Sequence, residues 1–292
     1  MPLRKIQFAP GIDKEGTEYT ADSGWFDSDK IRFRKGRPEK IGGWAKLNTT
    51  AFLGVCRSLF SWASLEAIKY IGAGTHLKFY VIEGVAPNDI TPIRNTTSAG
   101  DVTFSATNGS STVTVTDTGH GAVQNDFVTF SGAASLGGNV NATVLNQEYQ
   151  VASVTSANAF TIVAKDTSGN TVTANSSDSG NGGGSTVGAY QINTGLTDYV
   201  SAAGWGANPW GDGTWGSGSA LSVSGQLRLF SQDNFGEDLV FNVRNGGIFY
   251  WDESNGLTTR GVNITSLAGA SNCPTVAAQV LVSDNDQHVI AF

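Results

Sequence analysis

The side chains in this sequence that could perform catalysis are carboxylates in two short acidic runs. The run SQDNFGEDL contains Asp233, Glu237 and Asp238, and the run SDNDQ contains Asp284 and Asp286. Two carboxyl groups about 5 to 10 Å apart around a cleft are the machinery of a glycoside hydrolase. Asp-Asn runs can also bind calcium, but these lack the twelve-residue loop pattern of an EF-hand. We favour a third interpretation, in which acidic turn residues cap strand ends.

Other catalytic constellations are missing from the sequence. The histidines His76, His120 and His288 belong to separate predicted elements, and His120 lies in a Thr-Gly-His-Gly turn. No G-x-S-x-G elbow, Walker loop or H-E-x-x-H motif occurs, so the usual parts of serine hydrolases, nucleotide hydrolases and zinc peptidases are lacking. We therefore expect no enzymatic activity, no cofactor and no metal. Cys56 and Cys273 are interpreted as two buried thiols rather than as a disulfide.

The elements that must position these residues form a repeat. Residues 56–93 and 227–265 share one pattern. Each begins with a strand of alternating apolar and polar residues, continues with two strands joined at a tight turn and ends with a short strand. The tight turns are expected at residues 74–76 and 244–247. Four-strand units that recur at roughly 40 to 50 residues are typical of β-propeller blades. The predicted fold class is all-β, with incomplete propeller blades at residues 51–94, 223–279 and 280–292.

The third copy starts at Val280 and ends with the sequence at Phe292. Closed propellers have about four to eight blades, so two blades and part of a third do not close a ring. We expect either further chain after Phe292 or other subunits to complete it.

Two other segments separate the predicted blades. Residues 95–193 are rich in Ser, Thr, Val and Gly and contain five or more short strands between turn residues. This pattern predicts an inserted small β-sandwich or barrel domain. In residues 194–222, a Gly-rich loop, a tryptophan recurs every five residues at Trp205, Trp210 and Trp215. Because exposed tryptophan is costly, we expect the propeller or another subunit to hold these rings.

Residues 1–50 precede the first predicted blade and read as an extended arm, with Trp25 and Trp44 as its hydrophobic anchors. The one clear strand of the arm is DKIRFRKG, in which Ile31 and Phe33 alternate with charged residues. One face of this strand is therefore predicted to be apolar and the other cationic. The cations of this region that we assign to a subunit interface are Arg32, Arg34, Lys35 and Arg37.

Charge is unevenly distributed along the chain. The net charge is −7, ten of the 18 Lys and Arg residues come before Leu47, and residues 95–220 contain only Lys165 as a cation. Affinity for phosphates comes from Lys and Arg, so the acidic, cation-poor part is not expected to grip nucleic acid, and DNA could pass it without binding. No apolar run approaches about 18 residues and no secretory signal pattern occurs, so membrane insertion is not expected.

Several long motifs carry a resemblance to a known group of proteins. They include PEKIGGW in residues 38–44, FLGVCRSLFSW in 52–62, FGEDL in 235–239 and VSDNDQHVIAF in 282–292. With these motifs the chain resembles the N-terminal part of bacteriophage virion proteins that form the distal tail tube, in particular the propeller-containing nozzle or hub of short-tailed phages. The resemblance covers nearly the whole chain, including the Trp- and Gly-rich loop.

The resemblance implies a structural role. The chain would form the wall of the distal tail tube as a ring of identical subunits, commonly six, below the head-tail connector. Its partners would be itself, the connector or adaptor proteins and other tail proteins, with DNA passing through the lumen without sequence-specific binding. It would be assembled in the host cytoplasm and located in the virion.

Two alternatives come from other functional classes. In one, the chain is a host-glycan-binding tail module that uses the inserted β domain or the tryptophan loop, with Trp210 as the test position. In the other, it is a propeller glycosidase. That enzyme would work through carboxylates chosen from Asp233, Glu237, Asp284 and Asp286.

Overall fold

The structure is a computed structural model in which the chain divides into two compact units, residues 1–47 and 48–292. It describes residues 9–19, 24–43, 45–46, 50–177, 181–195, 227, 229–283, 285–286 and 288–292. The regular structure of these residues is almost entirely antiparallel β-sheet, which confirms the predicted all-β class. In this part of the chain no helix has the length and apolar character needed to cross a membrane.

The first unit contains a β-hairpin, called here the N-terminal hairpin, made of β1 (Ile31–Arg34) and β2 (Arg37–Lys40). Its two-residue turn has positive φ at both positions, 50° at Lys35 and 75° at Gly36, as a type I′ turn requires. The alternation of strand β1 places Ile31 and Phe33 on the less exposed face, as the sequence predicts. The sequence revealed only the first strand, because RPEK in β2 has no alternation and all four of its residues are exposed.

The second unit begins with sheet 1, a four-stranded antiparallel meander whose strands follow chain order. Its members are β3 (Cys56–Ala63), β4 (Lys69–Thr75), β5 (Phe79–Glu83) and β6 (Ala86–Asp89). The β4–β5 turn is fixed by Thr75, whose hydroxyl accepts from the backbone N–H of Lys78 at 2.9 Å and donates to the Lys78 carbonyl at 2.9 Å. This turn therefore comes one to two residues later than residues 74–76.

The insert follows sheet 1 and consists of two four-stranded antiparallel sheets. Its strands are β7 (Ile93–Thr96), β8 (Thr103–Ala106), β9 (Thr112–Thr116), β10 (Phe127–Ser131), β11 (Glu148–Gln150), β12 (Ser153–Ser156), β13 (Ala159–Val163) and β14 (Val187–Gln191). One sheet has the order β11-β10-β14-β7 and the other β12-β13-β9-β8. A short helix, α1 (Ala142–Leu145), is capped by Asn141, whose side chain accepts from the Val144 N–H at 3.0 Å.

Strict alternation explains why the insert folds as two layers. In β8, β9 and β13 every second side chain is buried, which places one apolar row of each strand in a shared core. The rings of Phe104 and Phe130 meet edge to face in that core with centroids 4.9 Å apart. The core is completed by further buried residues, among them Val113, Val115, Leu145, Phe160, Ile162 and Tyr190.

Two details of the insert differ from the sequence prediction. The sequence predicts a single strand at EYQVASV, residues 148–154, but this segment contains β11 and the start of β12, which belong to different sheets. The chain changes sheets at Val151, which is fully buried, and at Ala152, whose N–H bonds across to Thr161. The insert also begins at Ile93 rather than at residue 95, because β7 pairs with β14 and not with sheet 1.

Sheet 2 returns to the four-strand meander of sheet 1. It contains β15 (Phe230–Phe235), β16 (Asp238–Val243), β17 (Ile248–Trp251) and β18 (Val262–Asn263), paired in chain order. The turn between β16 and β17 falls at residues 244–247, as predicted. Short 3-10 turns at Glu253–Asn255 and Ile264–Ser266 flank the last strand, and β19 (Val280–Ser283) and β20 (His288–Ala291) then form the C-terminal hairpin.

Sheets 1 and 2 and the C-terminal hairpin pack in series through two apolar layers. Between sheets 1 and 2, the rings of Phe79 and Phe241 stack with centroids 4.1 Å apart. Gly74 allows this approach, because a Cβ there would lie 2.7 Å from Cγ of Phe230. The opposite face of sheet 2 packs on the hairpin through a second core of Val240, Ile248, Ala277, Val280 and Val282.

Candidate functional site

Three of the carboxylates proposed for glycoside hydrolysis, Asp233, Glu237 and Asp238, accept structural hydrogen bonds. Asp233 Oδ2 accepts from the N–H of Val282 at 2.9 Å, and Glu237 Oε1 accepts from that of Leu65 at 2.6 Å. Asp238 accepts from the Glu253 N–H at 2.9 Å and from the hydroxyl of Tyr250. Asp286 is exposed, and Asp284 lies outside the described residues.

A glycosidase needs two carboxylates in one cleft, and three clefts in the described part of the chain are candidates. Their volumes are about 340, 460 and 390 Å³. The first has no acidic side chain among its described lining residues, the second has Glu148 and the third has Asp233. None of the three therefore brings together two described carboxylates. Nor does any group of three or more His, Cys, Asp or Glu residues in the described ranges have a metal-binding arrangement.

The third cleft is a groove lined by the first strands of sheet 1, sheet 2 and the C-terminal hairpin, which we call the first-strand groove. Its lining includes Ser58 from β3, Gln232 from β15 and Leu281 from β19. Among the described residues, these three strands each pair on one side only, with β4, β16 and β20 respectively. Their other edges therefore need hydrogen-bond partners that are not sheet neighbours.

Side chains of β15 supply those partners for β19. The Ser231 hydroxyl accepts from the Val280 N–H at 2.8 Å, and Asp233 accepts from the N–H of Val282 two residues along. Asn242 on the neighbouring strand donates to the Ala277 carbonyl at 2.8 Å. Because each bond links one sheet to the backbone of the next, these side chains fix the spacing between successive sheets.

The insert is anchored by four charged side chains, called here the charge clamp: Lys78, Asp89, Glu148 and Arg260. Lys78 Nζ lies 2.7 Å from Asp89 Oδ2 and 2.5 Å from Glu148 Oε2. Arg260 Nη2 lies 3.4 Å from Asp89 Oδ2 and 3.4 Å from Glu148 Oε1. Lys78 and Asp89 belong to sheet 1, Glu148 to the insert, and Arg260 to the loop before β18, so the clamp joins three parts of the second unit.

Lys78 is the buried member of the clamp, its three partners are partly exposed, and further hydrogen bonds support the group. The Lys78 side chain is 4% exposed, and its Nζ lies 4.5 Å from the centre of the Phe127 ring. Arg260 Nη1 donates to the Thr91 carbonyl at 2.7 Å, and the Gln191 side chain donates to Glu148. A buried ion pair is stable only where extra hydrogen bonds of this kind satisfy its remaining donors and acceptors.

The pKa of Asp89 reflects two opposing influences in the charge clamp, burial and the neighbouring positive charges. Burial, the largest single influence, acts to raise its pKa, but the charges of Lys78 and Arg260 and the hydrogen bonds from Lys78 and Thr91 together outweigh it. The net result is an Asp89 pKa below its ordinary value. Asp89 is therefore ionised in the folded protein at neutral pH.

The predicted interface residues of the first unit lie on and beside the N-terminal hairpin. Arg32 is paired with Glu39 across the hairpin at 3.3 Å, and Arg34 lies directly opposite Arg37. The Trp25 ring lies 6.3 Å from the Phe33 ring, and Trp25 is half-buried against the hairpin. The remaining predicted residues, Trp44, Trp205, Trp210 and Trp215, lie outside the described residues.

The histidine and cysteine predictions have different outcomes. His120 is buried, its Nδ1 accepts from the Ala122 N–H at 2.9 Å, and its Nε2 lies 3.2 Å from the Ser156 carbonyl. This arrangement requires a neutral ring protonated at Nε2, and it explains the histidine by local structure. Cys56 and Cys273 are free thiols, as expected, but both are half-buried rather than buried.

Sequence reasoning missed the charge clamp. Its members are separated by up to 182 positions, and each is an ordinary polar residue near a strand end. One signal was present: Lys78 is a single lysine in THLKFYVIE, where it immediately precedes the buried run 79–82. Long charged residues are almost never fully buried without a partner, so a lysine in that position indicates an acidic partner elsewhere.

Comparisons with known proteins do not assign this chain to a family. No family model and no curated protein sequence matches the chain. Among solved structures, a chain of Phage phi92 endosialidase aligns with a TM-score of 0.26 and 13% sequence identity, over 72% of this chain and 30% of that one. This chain thus spans less than a third of the length of that protein. At this level of similarity two chains need not share a fold or an activity.

Proposed function

We propose that this chain is a structural protein of a bacteriophage tail and that it forms the wall of the distal tail tube, or nozzle. In this role copies of the chain assemble as a ring below the head-tail connector, and DNA is retained in and then ejected through the lumen. The ring would be a hexamer, assembled in the host cytoplasm and carried in the virion. The sequence motifs that resemble phage nozzle proteins are the starting point of the proposal.

The observation that carries the proposal is the serial packing of sheet 1, sheet 2 and the C-terminal hairpin. Each is joined to the next by an apolar layer, and their first strands lie side by side along one groove. Consecutive blades around a propeller axis have this arrangement. We interpret the three elements as successive blades and the first-strand groove as part of the surface around that axis.

Rigidity is what a tube wall requires, and the described side chains supply it. Asp233, Glu237 and Asp238 hold backbone amides of neighbouring segments, and the charge clamp holds the insert. Cations are few on the groove: the described residues that line it include no Lys or Arg. A surface without cations offers DNA phosphates no ion pairs, which suits a channel through which DNA slides.

Electron microscopy of the phage particle tests the proposal directly. An antibody fragment against the exposed β12 strand of the insert should decorate the distal tail below the connector, at positions arranged as a ring. A control fragment against the head protein should decorate the capsid only. Decoration of the capsid by the β12 fragment, or a purified chain that stays monomeric with connector protein present, would refute the proposal.

A further inference from the structure

The tip of the N-terminal hairpin breaks three local rules at once. Arg34 and Arg37 face each other across the strands, where like charges destabilise a pair. Lys35 occupies a turn position with φ of 50°, where glycine, asparagine or aspartate is preferred. All three cations are exposed, and in the described part of the chain no acidic side chain forms an ion pair with them.

Such a tip is costly for an isolated hairpin. Natural sequences tend to agree with their local structure, and departures from local rules concentrate at functional sites. An anionic partner would relieve two of these departures, since it would screen Arg34 from Arg37 and would pair with the three exposed cations. The hairpin tip therefore has the properties of an anion-binding surface that is built to meet another molecule.

The chain itself carries a matching surface. Residues 1–47 have ten Lys and Arg against seven Asp and Glu, whereas residues 48–292 have eight against eighteen. The net charges are thus +3 and −10, which together give the −7 of the whole chain. A molecule with this charge asymmetry attracts a second copy in a head-to-tail orientation.

Three glutamates of the second unit, Glu83, Glu237 and Glu253, lie close enough to Tyr70 to raise its pKa, and with Glu66, four residues before Tyr70 in the chain, they form what we call the acidic patch. The Tyr70 hydroxyl lies 2.7 Å from a Glu253 oxygen. Burial first, then that hydrogen bond and the negative charges of Glu253, Glu83 and Glu237, raise the Tyr70 pKa. Glu66 is exposed and follows Leu65, whose N–H binds Glu237. Lys69 precedes Tyr70 in strand β4 and projects to the opposite face, so the four glutamates give the patch a charge of about −4.

We propose that the tip of the N-terminal hairpin, through Arg34, Lys35 and Arg37, docks on the acidic patch of a second copy of this chain. The inference rests on the proposed ring and names the contact that joins one subunit to the next. Because the two surfaces differ, the contact is heterologous, and repeated application of it closes a ring or extends a filament. The hairpin tip and Glu66 are exposed and the other three glutamates are partly exposed, so salt should weaken the contact.

A charge-swap experiment on the full chain tests the contact. Variant one carries R34E and R37E, and variant two carries E66K and E83K, which spares the two glutamates that make structural hydrogen bonds. Each variant alone should lose self-association, by on the order of ten- to a hundredfold in association constant at low salt. A mixture of the two should restore it in part, because each copy then offers its reversed surface to a complementary one.

Controls separate the contact from general charge effects and from failure of the proposed function. K46E, in the first unit outside the hairpin, and D286K, in the second unit outside the patch, should self-associate like the unmodified chain, and circular dichroism should show that all variants fold. Assembly that survives either double reversal, or that the mixture fails to restore, overturns this inference and leaves the ring proposal standing. Loss of DNA binding instead of assembly in variant one assigns the tip to nucleic acid and also overturns it. An unmodified chain that never self-associates refutes both proposals.

Discussion

Replacing Lys78 with methionine should destabilise the second unit more than any single surface change. Methionine keeps the unbranched apolar stem of the side chain but removes Nζ, which pairs with both Asp89 and Glu148 and lies over the Phe127 ring. Removal of one partner from a buried ion pair costs about 3 to 5 kcal/mol. Asp89 and Glu148 keep Arg260 at 3.4 Å and are 23% and 30% exposed, so we expect the low end, about 3 kcal/mol.

Urea unfolding followed by tryptophan fluorescence measures this loss, since Trp62 and Trp251 are buried between sheets 1 and 2. The matched control is K69M, which removes an exposed lysine from strand β4 of the same sheet and should change the free energy of unfolding by less than about 0.5 kcal/mol. Substitution of Lys78 should leave the β4–β5 turn intact, because Thr75 bonds the backbone of Lys78 and not its side chain.

The pH dependence of the loss identifies its origin. In the unmodified chain the folded Asp89 pKa is depressed, so its stabilising effect is present above the unfolded pKa of about 3.9 and is lost as pH falls through the folded value. In K78M Asp89 loses the charge and the hydrogen bond of Lys78, two of the influences that lower its pKa, so its pKa rises and protonation relieves the partly buried charge. The difference between the two proteins should therefore shrink as pH falls from 7 towards 4. A K78M loss equal to that of K69M, or one that does not change with pH, would refute the clamp.

Three further predictions concern the packed sheets. G74A should destabilise the chain by about 1 to 3 kcal/mol, because its Cβ overlaps the Phe230 ring, whereas G184A, at an exposed glycine with open space around it, should be nearly neutral in the same unfolding assay. D233A should speed hydrogen exchange of the Val282 amide by about tenfold, because that amide loses its acceptor, and an unchanged rate would contradict the bridging role of Asp233. Burial raises the pKa of Tyr80 to about 12, so its contribution to stability is present below the unfolded pKa of about 10 and is lost as pH rises towards 12; Y80F should lose less stability than the unmodified chain over that interval.

The architecture was accessible from the sequence where local pattern and tertiary packing agree. The alternation in TFSA, TVTVT and AFTIV gave the strands β8, β9 and β13, because one row of each strand is buried and the other is not. The turn at 244–247 was accessible because Asn245 takes a positive φ of 58° and is followed by two glycines. Strand β2 could not be predicted from the sequence, because it has no buried row of side chains. The change of sheets at Val151 could not be predicted either, because it depends on pairing with other strands of the insert.

The interface residues were accessible in part. The cationic face of β1 follows from alternation alone, but the opposition of Arg34 and Arg37 depends on the register of a second strand that the sequence did not reveal. The charge clamp was inaccessible for a related reason. Its four side chains meet only because the insert folds back on sheet 1, and no local pattern records that contact.

The acidic runs show why one sequence pattern supports two opposite interpretations. A carboxylate at a strand end is what a glycosidase needs and also what a stacked sheet needs, because the first strand of every sheet has an unpaired edge. The distinction lies in whether the oxygens are free to reach a substrate. Oδ2 of Asp233 accepts a hydrogen bond from the Val282 amide of the C-terminal hairpin, and Oδ1 accepts one from the Asn234 amide beside it. The two oxygens of Asp238 likewise accept hydrogen bonds, Oδ1 from the Glu253 N–H and Oδ2 from the Tyr250 hydroxyl.

The hydrogen bonds of these carboxylates suit the proposed role of the chain in a tube wall. A ring of sheets that must withstand the passage of DNA needs each sheet to be fixed to the next at its inner edge, where no sheet hydrogen bonds are available. Short acidic and hydroxyl side chains on the first strand meet this need, because they reach the neighbouring backbone without adding a cation to the groove. The same residues that suggest catalysis in the sequence are therefore the ones that a cation-poor, rigid channel would require.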